Sequence, residues 1–395
     1  MKKRHRILFV AYPNNIHTVR WISQLSGSNY EVYLFPCIRI PVNNQFKNVT
    51  IFSADLLRPK NLDRSVRWVG FTSLAFYIDL IIQKGFRLDN RSFFTIHALN
   101  LIIKLIKPDI VHSLELQHSG YLTLQVKNKQ KFRFPKWIIS IWGSDLFLFS
   151  RLQFHNKLIK NVLANADYLQ CENPRDDQLA INLGFKGKVL PNLPGPGGFD
   201  FSLLNSLTDN KPSDRKVILL KGYQNWSGRA LVGLVALSKC VDVLEGFELK
   251  IFNATPDVEI AAELFSQDYQ IKTTIIEQLD YIEFVKLYQK SRIIIGLSIS
   301  DGVPNTMLEA MAFGVFPIQS NTAYTSGWID HGRTGFVVPP EDPDVISGFI
   351  RTSLSNNKLV DKAAKLNELL IKKKLDSTDC QQRITHLYKD ILSNK

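Results

Sequence analysis

The sequence contains no motif that would hold a metal ion or build a disulfide framework. Its four cysteines lie far apart, and no C-x-x-C or H-E-x-x-H pattern occurs. Clustered cysteines are typical of small secreted domains and of zinc sites, so neither class is indicated. Reduced thiols in a cytoplasmic protein are the simplest interpretation of Cys37, Cys171, Cys240 and Cys380.

Long apolar runs are also lacking. The stretch Val69–Ile82 contains Asp79 and falls short of the ~20 residues that span a bilayer. Near the N-terminus, the apolar run Ile7–Tyr12 is too short for a signal peptide, and no small-residue cleavage site follows it. We therefore expect a buried first strand at this position and no transmembrane helix.

The first half of the chain has few acidic residues. Residues 1–200 carry 27 Lys and Arg against 13 Asp and Glu, whereas residues 201–395 carry 22 against 23, so the net charge of +13 belongs to the first half. A basic face can bind nucleic acid, an anionic membrane or an anionic substrate. No nucleic-acid motif is present, which disfavours the first option. A solvated basic surface without a partner is the alternative.

One basic and apolar stretch, Ser92–Lys107, fits two interpretations. It predicts either a buried core helix or a helix that lies on a membrane surface, and its many apolar residues favour the core helix.

The most informative stretch lies in the second half of the chain. An Ile-rich run, Arg292–Ser300, predicts a buried strand. The turn Asp301–Asn305 follows, and then good helix formers at Thr306–Phe313 with Gly314 as a stop. Val315–Gln319 predicts the next strand. A strand, a turn and a helix form half of a βαβ unit, and ligands bind at the carboxyl ends of such strands.

The residues of this turn suit a nucleotide sugar. Gly302 lets the backbone approach a ligand closely, and the first amides of the helix favour an anion such as a diphosphate. Asp301 and Glu309 flank this positive end. Carboxylates repel phosphates but accept hydrogen bonds from sugar and ribose hydroxyls. The alternative is a helix N-terminus with capping acids and no ligand.

This stretch resembles the signature of the family 4 retaining glycosyltransferases, E-G-x-P-x-x-x-x-E-A-M-A-x-G, in which seven residues separate two acids. The segment Gly327–Val338 is similar to the family's D-G-x-T-G-x-L-V segment. Asp301 stands where the family usually has Glu. Its side chain is one methylene shorter, so its carboxylate reaches less far towards the donor sugar. The residues that match the signature are Asp301-Gly302-Val303-Pro304, Glu309-Ala310-Met311-Ala312 and Gly314.

The resemblance implies the GT-B fold, an α/β architecture of two Rossmann-like doubly wound domains that face each other across a cleft holding the active site. We expect an N-terminal acceptor-binding domain at residues 1–190 and a linker rich in Pro and Gly at 191–200. A donor domain would follow at 201–375, and a C-terminal helix at 376–395 would cross back to the N-terminal domain.

The donor side is predicted in the second domain. Lys221 ends its first strand and Arg229 precedes its first helix, so both can pair with a diphosphate; ordinary surface charges are the alternative. The family has a G-R…K-G loop here, and the two charges occur in shifted order in this sequence. The resemblance implies that Asp301 is a catalytic candidate that contacts hydroxyls of the donor sugar, and that Glu309 contacts ribose hydroxyls. The donor-binding set is Lys221, Arg229, Gly302, Val303, Pro304, Asn305 and Glu309.

The acceptor side is predicted in the first domain. Asn15 and His17 lie in the polar loop Pro13–Thr18 before a helix predicted at Val19–Leu25, with a plain polar loop as the alternative. His118 follows a strand, Pro108–Ser113, that resembles the family's P-D-h-V-H strand, in which h is apolar.

Two further residues follow the strand predicted at Trp137–Ile141. Many family members have a histidine at the position of Trp142, so no catalytic histidine is assigned here. Asp145 is the second catalytic candidate near the sugar; its alternative is the N-cap of a helix that begins near Leu146.

Other elements are predicted from apolar runs and helix formers. Strands are predicted at Glu31–Pro36, Ala166–Glu172 (the last of the first domain), Lys216–Lys221 and Leu249–Asn253, and helices at Ala230–Ser238, Tyr281–Gln289 and in the tail from Pro343.

The function implied by the resemblance is transfer of a hexosyl or N-acetylhexosaminyl group from a nucleoside-diphosphate sugar to a saccharide, with retention at the anomeric carbon. The expected acceptor is a lipid-linked saccharide in surface polysaccharide assembly, such as capsule or lipopolysaccharide. No metal or cofactor is expected, because fixed positive groups take its place. We expect a cytoplasmic protein with a peripheral contact to anionic membrane and no nucleic-acid partner. The alternatives are a GT-B nucleotide-sugar epimerase and a non-catalytic nucleotide- or saccharide-binding subunit.

Overall fold

The computed structural model describes residues 4–53, 55–70, 93–130, 133–195, 197–201, 210–277 and 279–393. Most of the apolar stretch Val69–Ile82, Ser92, and parts of the predicted linker, donor domain and tail lie outside these residues. The chain divides into two compact units. Unit 1 contains residues 1–198 and 378–395, and unit 2 contains residues 199–377.

The described residues of unit 1 form eight parallel strands. They are β1 (His5–Ala11), β2 (Tyr30–Pro36), β3 (Thr50–Phe52), β4 (Arg67–Val69), β5 (Ile110–Leu114), β6 (Lys136–Ile141), β7 (Tyr168–Cys171) and β8 (Lys188–Val189). Their order in the sheet is β4-β3-β2-β1-β5-β6-β7-β8. The order reverses between β1 and β5, and ligands bind beside the carboxyl ends of strands at such a switch point.

Helices cover both faces of this sheet. They are α1 (Ile16–Ser23), α2 (Phe93–Ile106), α3 (Tyr121–Lys129), α4 (Ser144–Phe147), α5 (Gln153–Asn165) and α6 (Pro174–Asn182). Strand β1 has Leu8 and Val10 in one core cluster and Ile7 and Phe9 in the other. Because both faces of the strand are buried, its sequence is an unbroken apolar run.

In unit 2, the part of the chain that the structure describes forms a six-stranded parallel sheet of the same design. Its strands are β9 (Val217–Lys221), β10 (Glu248–Phe252), β11 (Thr273–Ile276), β12 (Ser291–Gly296), β13 (Phe316–Ser320) and β14 (Phe336–Val338), in the order β11-β10-β9-β12-β13-β14. The switch point lies between β9 and β12. The helices are α7 (Ala230–Ser238), α8 (Pro256–Tyr269), α9 (Tyr281–Lys290), α10 (Asn305–Ala312), α11 (Pro343–Ser355) and α12 (Asn357–Leu375). The predicted α/β class with two doubly wound sheets is confirmed.

The last helix, α13 (Ser377–Ser393), completes the core of unit 1. The Tyr388 hydroxyl accepts a hydrogen bond from the indole nitrogen of Trp21 at 2.8 Å and lies 2.7 Å from Nδ1 of His112. Nε2 of His112 lies 2.7 Å from the hydroxyl of Ser140. Burial lowers the pKa of His112 to about 3, so its imidazole is neutral in the folded unit.

Three sequence-based boundaries were wrong. Helix α1 begins at Ile16, earlier than the predicted Val19, because the Asn15 side chain caps it there. A further strand, β8, follows β7, which we predicted as the last; two residues are too few to give an alternating pattern. Strand β12 ends at Gly296, short of Ser300, because the chain leaves the sheet to pair with the loop before α7.

The described helices include none with the length and hydropathy of a membrane span.

Candidate functional site

A lysine and an aspartate meet at the switch point of unit 2. Lys221 is the last residue of β9, and its ammonium nitrogen lies 3.6 Å from Oδ2 of Asp301, in the turn after β12. The same ammonium lies 5.1 Å from the centre of the Tyr223 ring. Both charged side chains are partly buried, so the pair presents a positive and a negative group side by side at the edge of the sheet.

The loop between β9 and α7 is held tightly against this turn. The Asn225 side chain accepts hydrogen bonds from the amides of Ser227 and Gly228, both at 2.9 Å. A Cβ at Gly228 would lie 2.1 Å from the carbonyl oxygen of Tyr223, so only glycine fits. The Arg229 amide donates to the carbonyl of Leu297 at 3.1 Å, which brings the arginine to the edge that carries Lys221.

Arg229 already has partners. Its Nε lies 2.8 Å from Oε1 of Glu341, and one of its terminal nitrogens donates to the carbonyl of Gly228 at 2.8 Å. The Glu341 side chain is exposed, so this ion pair is open to water. The sequence alone does not indicate Glu341 as a partner, because it is far from Arg229 in the chain and belongs to no motif.

The turn Asp301–Asn305 leads directly into α10. The Gly302 amide donates to Oδ1 of Asp301 at 2.9 Å, and the Gly302 carbonyl accepts from the Tyr324 amide at 2.8 Å. Pro304 is the N-cap residue of α10, and no side-chain hydrogen bond caps the helix there. The turn is therefore fixed from both sides, and its helix begins at the same edge of the sheet as Lys221.

Glu309 is buried one turn inside α10 and has an aromatic neighbour. The Tyr288 hydroxyl, from α9, donates to Oε2 of Glu309 at 3.2 Å. The Tyr288 ring stacks on Phe313, with an interplanar angle of 9°. The tyrosine thus orients the carboxylate. It lies in an ordinary amphipathic helix, and nothing in its sequence context distinguishes it from a core residue.

A second cluster lies at the switch point of unit 1. Glu115 directly follows β5 with φ 81° and ψ 162°, a conformation that strains a residue other than glycine. Its carboxylate accepts hydrogen bonds from the amides of Gln117, His118 and Ser119, each at 2.7 Å. These bonds hold the π-helical turn Leu116–Gly120, which we did not predict. The turn places His118 beside Tyr12, whose hydroxyl contacts Nδ1 of the imidazole.

Asn15, His17 and Trp142 are neighbours in this unit. The Asn15 side chain accepts from the His17 amide at 2.8 Å, so His17 lies in the first turn of α1 and not in a loop. The centres of the His17 and Trp142 rings are 5.8 Å apart, edge to face. The Trp142 amide donates to Oδ1 of Asp145 at 3.0 Å, which links the two candidate regions.

Asp145 is buried, and the alternative that it caps a helix is wrong. The N-cap of α4 is Gly143, at φ 111°, and Asp145 lies in the first turn of that helix. Its Oδ2 is buried and has no hydrogen-bond partner within the described residues. Burial first, and then the nearby charge of Glu115, raise the pKa of Asp145 well above its usual value. This carboxyl can therefore hold a proton under conditions in which exposed carboxylates are ionised.

Two family models match the chain. The model described as "Glycosyl transferases group 1" matches residues 261–369, which include Asp301 and Glu309, and "Glycosyl transferase 4-like" matches residues 77–173. The chain is therefore similar to the group 1 glycosyltransferases over residues 261–369. Among curated protein sequences, none matches it at a significant level.

Solved structures of similar fold cover nearly the whole chain. A sucrose-phosphate synthase from Thermosynechococcus elongatus has 15% identity and a TM-score of 0.73, with 99% of this chain and 100% of that chain covered. A glycosyltransferase from Rickettsia africae has 17% identity and a TM-score of 0.66, with both chains covered to 100%. Anabaena HepE in complex with UDP-glucose has 12% identity and a TM-score of 0.68, with 98% and 99% covered. These likenesses confirm the predicted GT-B fold.

Proposed function

We propose that this chain is a group 1 glycosyltransferase that moves a sugar from a nucleoside-diphosphate donor to a saccharide acceptor, with retention at the anomeric carbon. The observation that carries the proposal is the meeting of Lys221 with Asp301 at the switch point of unit 2. A cation beside a carboxylate suits a ligand that has phosphates at one end and hydroxyls at the other.

In this proposal the diphosphate binds to Lys221, Arg229 and the amides at the start of α10. Arg229 exchanges the exposed carboxylate of Glu341 for a phosphate, which its planar guanidinium can bind through two hydrogen bonds. These positive groups are fixed before the donor arrives, so they stabilise the diphosphate as it departs with added negative charge. Their positive charge would take the place of a divalent metal ion, and we propose a metal-independent reaction.

The two carboxylates of the turn receive the hydroxyls. Glu309, oriented by Tyr288, accepts hydrogen bonds from the ribose, and Asp301 accepts them from the donor sugar. When the bond between the anomeric carbon and the diphosphate oxygen breaks, the acceptor hydroxyl bonds to that carbon on the same face. Its proton passes to the departing phosphate oxygen, which balances the step.

The acceptor binds to unit 1 in this proposal, beside Asn15, His17, His118 and Asp145. A lipid-linked saccharide suits the excess positive charge of the first half of the chain, since its phosphates are anionic. Surface polysaccharide assembly at the inner face of the cytoplasmic membrane would supply such an acceptor. The Anabaena structure contains UDP-glucose, so UDP-hexoses are the first donors to test.

The test is a thermal-shift panel of UDP, GDP, ADP and their sugars, with and without EDTA. A ligand at ~100 times its dissociation constant stabilises a fold by about 2.7 kcal/mol, which a melt resolves. We expect a shift with one base, unchanged by EDTA, and then transfer to a saccharide with NMR showing the retained anomer. The absence of any shift, or an inverted product, would contradict the proposal.

A further inference from the structure

Unit 1 contains a hollow of about 1310 Å³ that is remote from the candidate site. It lies at the amino-terminal edge of the sheet, because its lining includes Asp109 just before β5 and the first residues of β6, β7 and β8, which are Lys136, Tyr168 and Lys188. The candidate acceptor residues lie at the opposite edge, where β1, β5 and β6 end. The hollow is thus a separate concave feature.

The lining of the hollow is strongly basic. It includes seven Lys and Arg residues and two Asp residues. Five of the cations are exposed: Lys104, Lys107, Arg133, Lys186 and Lys188. Since they come from separate parts of the chain, it is the fold, and not a run in the sequence, that gathers them around one cavity.

The two carboxylates offset only part of this charge. Oδ2 of Asp109 accepts a hydrogen bond from the backbone amide of Arg6 at 2.8 Å. Oδ2 of Asp167 accepts one from the backbone amide of Trp137, also at 2.8 Å. Each carboxylate therefore binds the backbone near the start of a neighbouring strand.

Two lysines of the lining form its framework. The ammonium groups of Lys127 and Lys136 donate to the carbonyls of Asn165 and Ile391, each at 2.5 Å. An ammonium that donates to a carbonyl keeps its charge, so these residues add to the positive field of the hollow while they hold its walls together.

Exposed leucines lie on the helix that contributes Lys104 to the basic hollow. Leu101 and Leu105 on α2 are 47% and 67% exposed, whereas Leu99 and Ile102 of the same helix are buried in the core. Lys104, which lines the hollow, lies between the two exposed leucines. A helix surface that carries both leucine and lysine is typical of the boundary between lipid headgroups and acyl chains. The two interpretations of Ser92–Lys107 thus apply to two faces of one helix.

We propose that the basic hollow and the adjoining α2 surface form a docking site for anionic phospholipid headgroups. Phosphates enter the hollow, and Leu101 and Leu105 enter the edge of the acyl layer. A soluble polyphosphate would leave the exposed leucines in water, whereas a lipid surface would bury them. We therefore infer a lipid surface as the occupant. This site gives the proposed membrane contact a location, but its test requires no donor and no sugar transfer.

The test measures binding of the full chain to vesicles of phosphatidylcholine alone and of phosphatidylcholine mixed with phosphatidylglycerol. The variant carries Lys107→Gln, Lys186→Gln and Lys188→Gln. Its control carries Lys358→Gln, Lys362→Gln and Lys365→Gln, three exposed lysines on α12 of unit 2, so that both proteins lose the same net charge. Thermal melts check that both remain folded.

We expect the full chain to bind only the anionic vesicles. A lysine near such a surface contributes about 1 kcal/mol, so the hollow variant should bind on the order of 100-fold more weakly, and the control should bind nearly as the wild type does. Leu105→Ser should weaken vesicle binding and leave the binding of tripolyphosphate unchanged. Equal losses in variant and control would show a general charge effect and overturn the site. Tripolyphosphate binding without vesicle binding would overturn the lipid as its occupant.

Discussion

The ammonium nitrogen of Lys221 and a carboxylate oxygen of Asp301 lie 3.6 Å apart at the point where the strand order in the sheet of unit 2 reverses. Lys221 ends β9 and Asp301 lies in the turn after β12, and these two strands are neighbours in the sheet although distant in the chain. The pairing of the two charged groups holds the lysine at the edge of the sheet before any anion arrives. Each side chain remains partly exposed, at 18% and 29%, so a phosphate can reach the ammonium without opening the core.

Removing the ammonium of Lys221 should weaken donor binding. A hydrogen bond to a charged group contributes roughly 1.5–3 kcal/mol, so Lys221→Met should raise the dissociation constant of the preferred nucleoside diphosphate about 10- to 150-fold. Isothermal titration calorimetry measures it. Lys216, beside the other end of β9 and 4.8 Å from the Phe247 ring centre, supplies the control Lys216→Met, for which we expect unchanged affinity. Equal effects of the two changes would contradict the donor site.

Releasing Arg229 from Glu341 should strengthen diphosphate binding. An exposed ion pair contributes about 0.2–1 kcal/mol, so Glu341→Gln should improve affinity by up to about fivefold, with the gain shrinking as salt rises. Arg229→Lys should weaken binding, since an ammonium lacks the two-pronged geometry. If Glu341→Gln weakens binding instead, the glutamate itself contacts the ligand and our assignment of Arg229 is wrong.

The role of Glu309 can be tested with nucleotides that lack a ribose hydroxyl. The wild-type protein should bind the nucleoside diphosphate more tightly than its 2′-deoxy form, because the carboxylate accepts from the ribose. In Glu309→Gln this preference should shrink several-fold, while the control Glu259→Gln on α8 should retain it. A preference that persists in Glu309→Gln would remove the ribose contact from the proposal.

Acid should destabilise unit 1 through His112. Its folded pKa of about 3 lies below the ordinary value of 6.5, so the unfolded chain takes up the proton first. The stabilisation is complete above pH 6.5 and is lost as pH falls towards 3, by on the order of 5 kcal/mol at the limit. Urea midpoints across this range should slope less in His112→Gln, which should also be less stable at neutral pH. Equal slopes in the variant and the wild type would contradict His112 as the origin of the acid sensitivity.

The contribution of Asp145 to the stability of unit 1 should have the opposite dependence on pH. Since burial raises its pKa, the folded unit holds the proton more tightly than the unfolded chain, and stability falls as pH rises above the usual aspartate value. Asp145→Asn keeps the acceptor for the Trp142 amide and removes the ionisation. We expect the variant to gain stability over the wild type between about pH 4 and neutral pH, as measured by thermal melts. A difference that is constant across this range would contradict a buried ionisable carboxyl.

The sequence alone predicted the elements whose signals are local. Strand β12, the turn at Asp301 and helix α10 were predicted because an Ile-rich run, a Gly-Pro turn and helix formers are each visible within a few residues. Helix α7 was predicted with its observed bounds for the same reason. Lys221 and Arg229 were named as donor ligands because one ends a predicted strand and the other precedes a predicted helix.

What the sequence did not predict depends on contacts between distant segments or on unusual backbone. Glu341 and Tyr288 reach the site only because α9 and the end of β14 pack beside it. Glu115 has a backbone conformation that a glutamate seldom adopts, and the three amides that compensate it become available only in the folded turn.

Unit 1 has a consequence for the order in which this chain is made. Domains generally fold as they emerge from the ribosome, the N-terminal one first. Here Tyr388, which encloses Trp21 and His112, is translated only after unit 2 is complete at Ser377. The second unit therefore has all its residues while the first still awaits its final helix. A premature stop codon before Thr378 would spare unit 2 and leave unit 1 with an open core.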